Sequence, residues 1–151
     1  MPWTSQGKTI TEDVWPLPAD AFAHPRSAGT FTRFLRDYVR ERKAFGATLW
    51  DKQAIRQRLA ARAAQVEAAR ALVYHAAWLD AQGKDCVKEV SMVKALCGEL
   101  VNEVLYDCQQ FHGGFGYMHE TTIARMVRDA RVEAIGGGAT EVMLEEVAKR
   151  M

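Results

Sequence analysis

A glutamine, a histidine and a cluster of glycines meet in Gln110-Phe-His-Gly-Gly-Phe-Gly-Tyr117. Gly113, Gly114 and Gly116 follow a long helix-forming run, so the backbone there approaches something closely or takes up φ > 0. Without a Cβ, its amides can come right up to a ligand; a plain helix-ending turn would use the same residues. Arg42-Lys-Ala-Phe-Gly46 lies at a comparable break upstream. A guanidinium, then an aromatic, then a glycine can clamp a phosphate and pack on a flat ring. Arg42 and Lys43 would equally suit the negative end of a helix dipole. Downstream, Gly136-Gly-Gly138 runs through Ala139 into Thr140 and Glu141. Free amides and the dipole at such a helix start favour an anion. A well-capped terminal helix explains it too, with Thr140 as N-cap, Glu141, Glu145 and Glu146 in the first turns, and Lys149 and Arg150 at the far end.

Helices must position these segments. All four prolines (Pro2, Pro16, Pro18 and Pro25) fall in the first 25 residues, and none follows. Proline breaks a helix interior, so the expected division is an irregular leader over 1–28 and a helical domain over 29–151. Trp3, Trp15 and Phe22 can pin parts of the leader to a surface, and the leader should be cut by proteases before the bundle. The first helix is expected from Thr30 to Lys43, closed by Gly46. The second is expected from Asp51 to Gln82, with Ile55, Leu59, Ala63, Val66, Ala69, Val73, Ala76 and Leu79 inward. Gly83 ends it. The third runs from Asp85 to Phe111, with Val90, Val93, Cys97, Leu100, Val104, Cys108 and Phe111 on one face. A short helix over Thr121 to Val132 and a last one over Thr140 to Met151 complete the set, the last turning Leu144, Val147, Ala148 and Met151 inward. No stretch alternates with period two, so no sheet is expected. Two long helices joined by a tight turn must lie antiparallel, giving an all-α antiparallel helical bundle.

Those segments, in that order, resemble the C-terminal domain of the acyl-CoA dehydrogenases, with the long-chain type the nearest in pattern. The resemblance implies FAD as cofactor. It assigns Arg42 and Phe45 to the flavin dinucleotide of a neighbouring subunit, although the family often has threonine or serine where Ala44 stands. Leu49-Trp-Asp-Lys-Gln53 is similar to the family's turn whose glutamine reaches the flavin nucleotide, which singles out Gln53. Gln110, Phe111, His112, Gly113 and Gly114 match the segment that holds the adenosine end of FAD across a subunit interface. His112 has no carboxylate orienter among its sequence neighbours, so it reads as a packing or hydrogen-bonding residue rather than a base. Thr140 and Glu141 would border the flavin, and Gly137 and Gly138 the acyl thioester.

The family reaction, α,β-dehydrogenation of acyl-CoA thioesters, needs a carboxylate within reach of the α-proton. Gly137 stands where medium- and short-chain relatives carry theirs. Long-chain and isovaleryl relatives take theirs from a position that falls near Trp15 and Pro16, where there is none. Glu12 and Asp13 are near, but the prolines would break a helix presenting them. The resemblance therefore implies a C-terminal domain without the N-terminal helical and β domains, which carries part of the FAD and interface surface and is inactive alone. A non-catalytic helical interaction or structural module derived from the family is the competing expectation. A homo-oligomer, dimer or tetramer, is expected, with acyl-CoA as a ligand only in a complete enzyme.

The other classes find little support. Net charge is +1 across 151 residues, which gives no bulk attraction to nucleic acid or membrane. Lys52, Arg56, Arg58 and Arg62 form a basic stretch without interleaved aromatics, read as a solvated helix face. No glutamate has a histidine three residues on, so a di-iron bundle is not expected, nor any other metal site. Cys86, Cys97 and Cys108 recur every 11 residues. On one helix that spacing puts them roughly 16 Å apart, too far for a disulfide or a shared metal. Inert thiols in a reducing compartment follow, and with no signal-peptide core at Met1–Lys8 a cytoplasmic location is the default.

Overall fold

The computed structural model describes residues 4–5, 8–9 and 27–151, with side chains from residue 31 onward. The expectations for Trp3, Glu12, Asp13, Trp15, Phe22 and the prolines lie outside the described residues. The architecture is an antiparallel bundle of α-helices, as the spacing requires. It also contains short strand pairs that the sequence did not reveal. β1 (Thr4–Ser5) pairs antiparallel with β2 (Lys8–Thr9). β3 (Lys43–Ala44) pairs with β4 (Ala47–Thr48) in the register Lys43↔Thr48 and Ala44↔Ala47. Strands of two residues are too short to show an alternating pattern, which is why no sheet was expected.

The first helix, α1, spans Ser27–Glu41 and stops before the expected Lys43. Gly46 does not cap it. Phe45 and Gly46 have φ of 56° and 78° and form the two-residue turn of the β3–β4 hairpin. Positive φ at both central positions matches the right-handed strand twist, and a phenylalanine there is strained. A 3-10 turn, Leu49–Asp51, follows. Asp51 accepts hydrogen bonds from the Thr48 amide (2.9 Å) and hydroxyl (2.7 Å), which fixes the entry to the second long helix.

That helix, α2, covers Gln53–Ala81, and α3 covers Val87–His112. Gly83, at φ 65°, makes the turn between them, and Asp85 accepts from the Val87 amide at 3.1 Å to open α3. α3 is the centre of the bundle. Ser91, Ala95, Gly98, Leu100, Val101, Val104, Leu105, Asp107, Cys108 and His112 are all buried, far more than the one stripe read from its spacing. α1 and α2 pack on it, with Phe31, Phe34, Leu35, Val39, Leu59 and Val66 in the shared core. Its other sides are closed by α5 (Thr122–Ala130), a 3-10 turn over Arg131–Ala134, and α6 (Thr140–Ala148). One further turn of helix, α4, occupies Gly114–Tyr117.

Several expected inward residues face out: Ala63, Val90, Leu144, Ala148 and Met151 are exposed. Periodicity identifies an apolar stripe but does not say whether this chain covers it. Thr140 is the first residue of α6, and Ala139 takes the cap position expected of it. The Thr140 hydroxyl instead donates to the Glu99 carboxylate at 2.7 Å. Cys108 is buried, Cys86 and Cys97 are partly so, and all three are free thiols.

Gly98 marks a close approach of α3 to the 3-10 turn over Arg131–Ala134. A Cβ there would lie 2.8 Å from the Glu133 carbonyl oxygen and 3.1 Å from the Ala134 Cα. Both are backbone atoms, so neither can swing aside. Gly98→Ala would gain about 1 kcal/mol of helix propensity but incur an overpacking cost of about 1–3 kcal/mol. The expected net result is lower stability, read as a reduced urea midpoint; a raised midpoint would refute the close approach.

Candidate functional site

The glycine-rich segment lies where α3 ends. Gly113 has φ 61° and ψ −146°, a region that only glycine occupies readily, and so turns the chain sharply out of the helix. Gly116 serves the other purpose expected of such a residue. A Cβ on it would stand 2.6 Å from the Gln109 carbonyl oxygen, so it lets α4 fold back onto α3. Beside Gly113 and Gly114 there is open space where a Cβ would point. The Gln109 side-chain amide donates to the Gly116 carbonyl at 3.1 Å, while Gln110 is exposed. Tyr106, Gln109, Gln110, Gly113, Gly114 and Tyr117 together line an open hollow of about 370 Å³.

His112 is buried beneath this turn. Its Nδ1 lies 2.6 Å from the Cys108 carbonyl oxygen, and because a carbonyl only accepts, Nδ1 carries the proton. The ring stacks on Tyr38 at 3.7 Å and on Phe34 at 5.5 Å between centroids. Burial holds its pKa below the ordinary value of 6.5; the nearby Arg42 charge acts in the same direction, and the bond to Cys108 opposes both. The unfolded chain therefore takes up the proton first as pH falls. Its contribution to stability is complete above pH 6.5 and is lost as pH drops below that value. Melting temperature should decline from pH 7.5 toward the folded-state pKa, and His112→Phe should flatten that decline. An equal slope in the variant would assign it to other groups.

The Arg42 segment joins this same end. The Arg42 amide donates to Tyr38 O at 2.9 Å and its carbonyl accepts from the Leu49 amide at 2.8 Å, pinning it between α1 and the turn into α2. Phe45 projects from the hairpin and is 92% exposed. The Lys52 ammonium reaches the Phe45 carbonyl at 3.5 Å, and Arg40 lies 4.6 Å over the Trp50 ring. Gln53 is exposed at the start of α2. The antiparallel register that sets Arg62 beside Asp107 carries Gln53 level with the Gln110–Gly114 turn.

The last predicted segment is elsewhere. Gly137 and Gly138 have φ of 67° and 110°, and Gly137 lies beside the Lys94 side chain. Lys94 itself donates to the Glu133 carbonyl at 2.5 Å. Lys94 and Gln110 are 16 residues apart on the one helix α3, which is about 24 Å. One chain thus gathers Arg42, Phe45, Gln53 and Gln110–Gly114 at one end, and leaves Gly137, Gly138, Thr140 and Glu141 toward the other.

One arrangement was missed from sequence. Asp107 is 1% exposed and is held by Arg62 Nε at 2.8 Å, while Arg58 faces its other oxygen at 2.6 Å as an ion pair without the alignment of a hydrogen bond. Arg62 also bonds Glu103 and Gln65, and Arg56 donates to the Trp50 carbonyl at 2.8 Å. The basic stretch is therefore not simply a solvated face. Its signal was Asp107 itself, which falls three residues after Val104 and seven after Leu100, on the buried stripe. Among the described residues no cluster of histidine, cysteine, aspartate or glutamate is arranged to hold a metal, and no helix is long and apolar enough to cross a membrane.

Comparison with known proteins bears on this geometry. The profile of the acyl-CoA dehydrogenase C-terminal domain matches residues 21–151. The chain is 44% identical over 105 residues to the caffeyl-CoA reductase–Etf complex subunit CarC of Acetobacterium woodii, covering 70% of this chain and 28% of that protein. It is 41% identical over 116 residues to the mitochondrial long-chain specific acyl-CoA dehydrogenase of Sus scrofa, covering 77% and 27%. An acyl-CoA dehydrogenase crystal structure from Geobacillus kaustophilus superposes with a TM-score of 0.81 at 35% identity, over 86% of this chain and 34% of that one. The chain thus spans between about a quarter and a third of the length of these relatives.

Proposed function

The chain belongs to the acyl-CoA dehydrogenase family, as its C-terminal domain, and from that premise we propose that it presents part of an FAD-binding and subunit-interface surface. Within this reading Arg42 and Phe45 meet the flavin dinucleotide of a second subunit, Gln53 reaches its nucleotide, and Gln110, Phe111, His112, Gly113 and Gly114 form the adenosine end. Thr140 and Glu141 border the flavin, and Gly137 and Gly138 the acyl thioester. The observation that carries the proposal is the convergence of the first group at one end of the bundle, with open space at Gly113 and Gly114. Phe45 supports it. A phenylalanine held at positive φ and 92% exposed gains nothing from its own chain, whereas a flat ring laid on it would.

FAD, when bound, supplies the hydride acceptor for dehydrogenation of an acyl-CoA thioester. The residues of this chain bind and orient; Gly137 has no side chain to take the α-proton. His112 keeps Nδ1–H on the Cys108 carbonyl and stacks on Tyr38 and Phe34, so it is buried beneath the turn and supports it. The separation of the two groups along α3, about 16 Å from Glu99 beside Thr140 and about 24 Å from Lys94 beside Gly137, supports a homo-oligomer, dimer or tetramer, as part of the reading. Fatty acid metabolism in the cytoplasm, without membrane or nucleic-acid partners, is its context.

Purified chain mixed with FAD and passed through gel filtration tests it. A flavin spectrum that co-elutes with protein supports the proposal, and colourless protein favours a helical interaction module without flavin chemistry. Light scattering on the same peak should exceed the 16.9 kDa of one chain; a monomer mass at micromolar concentration would count against the oligomer.

A further inference from the structure

The hollow at the end of α3 contains a side chain that the family-based reading leaves unused. Tyr106 is 56% exposed and forms one wall, one helical turn before Gln110. Its ring is not loose. The Arg58 guanidinium stands 5.8 Å from the ring centroid, and Arg58 is tied to Asp107 at 2.6 Å. Asp107 in turn is almost wholly buried and bonded to Arg62. A charged anchor in the core therefore sets the cation, and the cation backs one side of the aromatic ring. Tyr106 lines the hollow together with the Gln109 and Gln110 carboxamides, bare glycine backbone and the exposed Tyr117.

Those groups suit one class of ligand. A flat heteroaromatic base can stack on a tyrosine face, and a glutamine carboxamide can both donate to and accept from a purine edge. The Gln109 amide nitrogen is committed to the Gly116 carbonyl, which leaves Gln110 as the adaptable partner. We propose that Tyr106 is a purine-stacking residue of this hollow, and that Arg58 acts through it as a positioning residue set by Asp107. This rests on the FAD-surface reading but goes beyond it, since it names the side chain on which the purine would stack.

Saturation-transfer NMR with the full chain tests this, with ADP as probe and FMN as control. Saturation is expected on the adenine protons of ADP. Tyr106→Ala should weaken ADP binding about fivefold or more, given the stacking contribution of an aromatic to a base. Tyr106→Phe should retain the affinity, and an FMN signal that falls as much as that of ADP in Tyr106→Ala would overturn a purine site in favour of one for any flat ring. Because Tyr106 is largely exposed, the melting temperature should hold in each variant, which separates lost stacking from lost folding. Equal ADP affinity in Tyr106→Ala would overturn the role of Tyr106 while leaving the flavin reading intact. Absence of ADP binding by the unaltered chain at millimolar concentration would also overturn it, and the flavin spectrum after gel filtration then decides the broader reading separately.

Discussion

Given FAD, an electron acceptor and acyl-CoA thioesters from short to long chain, this polypeptide alone is expected to turn over no faster than free flavin. Two separate deficits lead there. Gly137, at φ 67°, is the residue that the resemblance sets where medium- and short-chain relatives place their carboxylate, and glycine cannot take a proton. Of the nearby acids, Glu99 accepts the Thr140 hydroxyl, and Glu133 lies on the 3-10 turn packed against Gly98. Loss of a general base costs about 10²–10⁴ in rate. The second deficit is alignment: the chain spans between about a quarter and a third of its relatives, and the resemblance assigns most of the flavin-ring and acyl pocket to the remainder. Lost positioning is worth about 10⁵ or more in effective molarity. Together these place the expected deficit at about 10⁷ or greater. Turnover above the free-flavin background would refute this, and its loss in Glu12→Gln or Glu133→Gln would identify the carboxylate responsible.

Removing both arginines from Asp107 is expected to give the largest stability loss of any change considered. In Arg58→Met/Arg62→Met a carboxylate that is 1% exposed would keep its burial and lose both counter-charges. Breaking a buried pair in this way costs about 3–5 kcal/mol, because the remaining charge is left uncompensated. For a domain of this size that corresponds to a fall in melting temperature of roughly 10 °C. Adding Asp107→Leu should recover most of it, since an apolar replacement of the whole cluster removes the desolvation cost as well as the attraction. Glu103 is exposed, and Glu103→Gln should change stability by less than about 1 kcal/mol. Urea unfolding of the four proteins checks the series. A double variant as stable as the parent would mean that Asp107 is not held by these charges.

The helices and their breaks were legible because the signals are local. Apolar spacing of three and four marks α2 and α3, and Gly83 marks the turn between them. The same locality revealed the glycine cluster after Gln110, although not that Gly113 needs positive φ while Gly116 needs closeness. The flavin-linked roles proposed for Arg42 and Gln53 came from resemblance, since alone each passes for an ordinary helix-end residue.

What the tertiary structure decided are relations between residues distant in sequence. Asp107 and Arg62 lie 45 residues apart, and nothing in either local pattern says that one neutralises the other. Gly98 is small because the backbone at Glu133 crosses it, a constraint that belongs to neither segment alone. Leu144 and Met151 lie on an apolar spacing yet remain exposed, because periodicity records which face is apolar and not what lies against it. The sequence by itself determined the α-helical class and the three segments worth attention. Only packing showed that two of them share an end of the bundle and that the third stands about 16–24 Å away along α3, beside Glu99 and Lys94, because those contacts join residues far apart in sequence, which no single helix encodes.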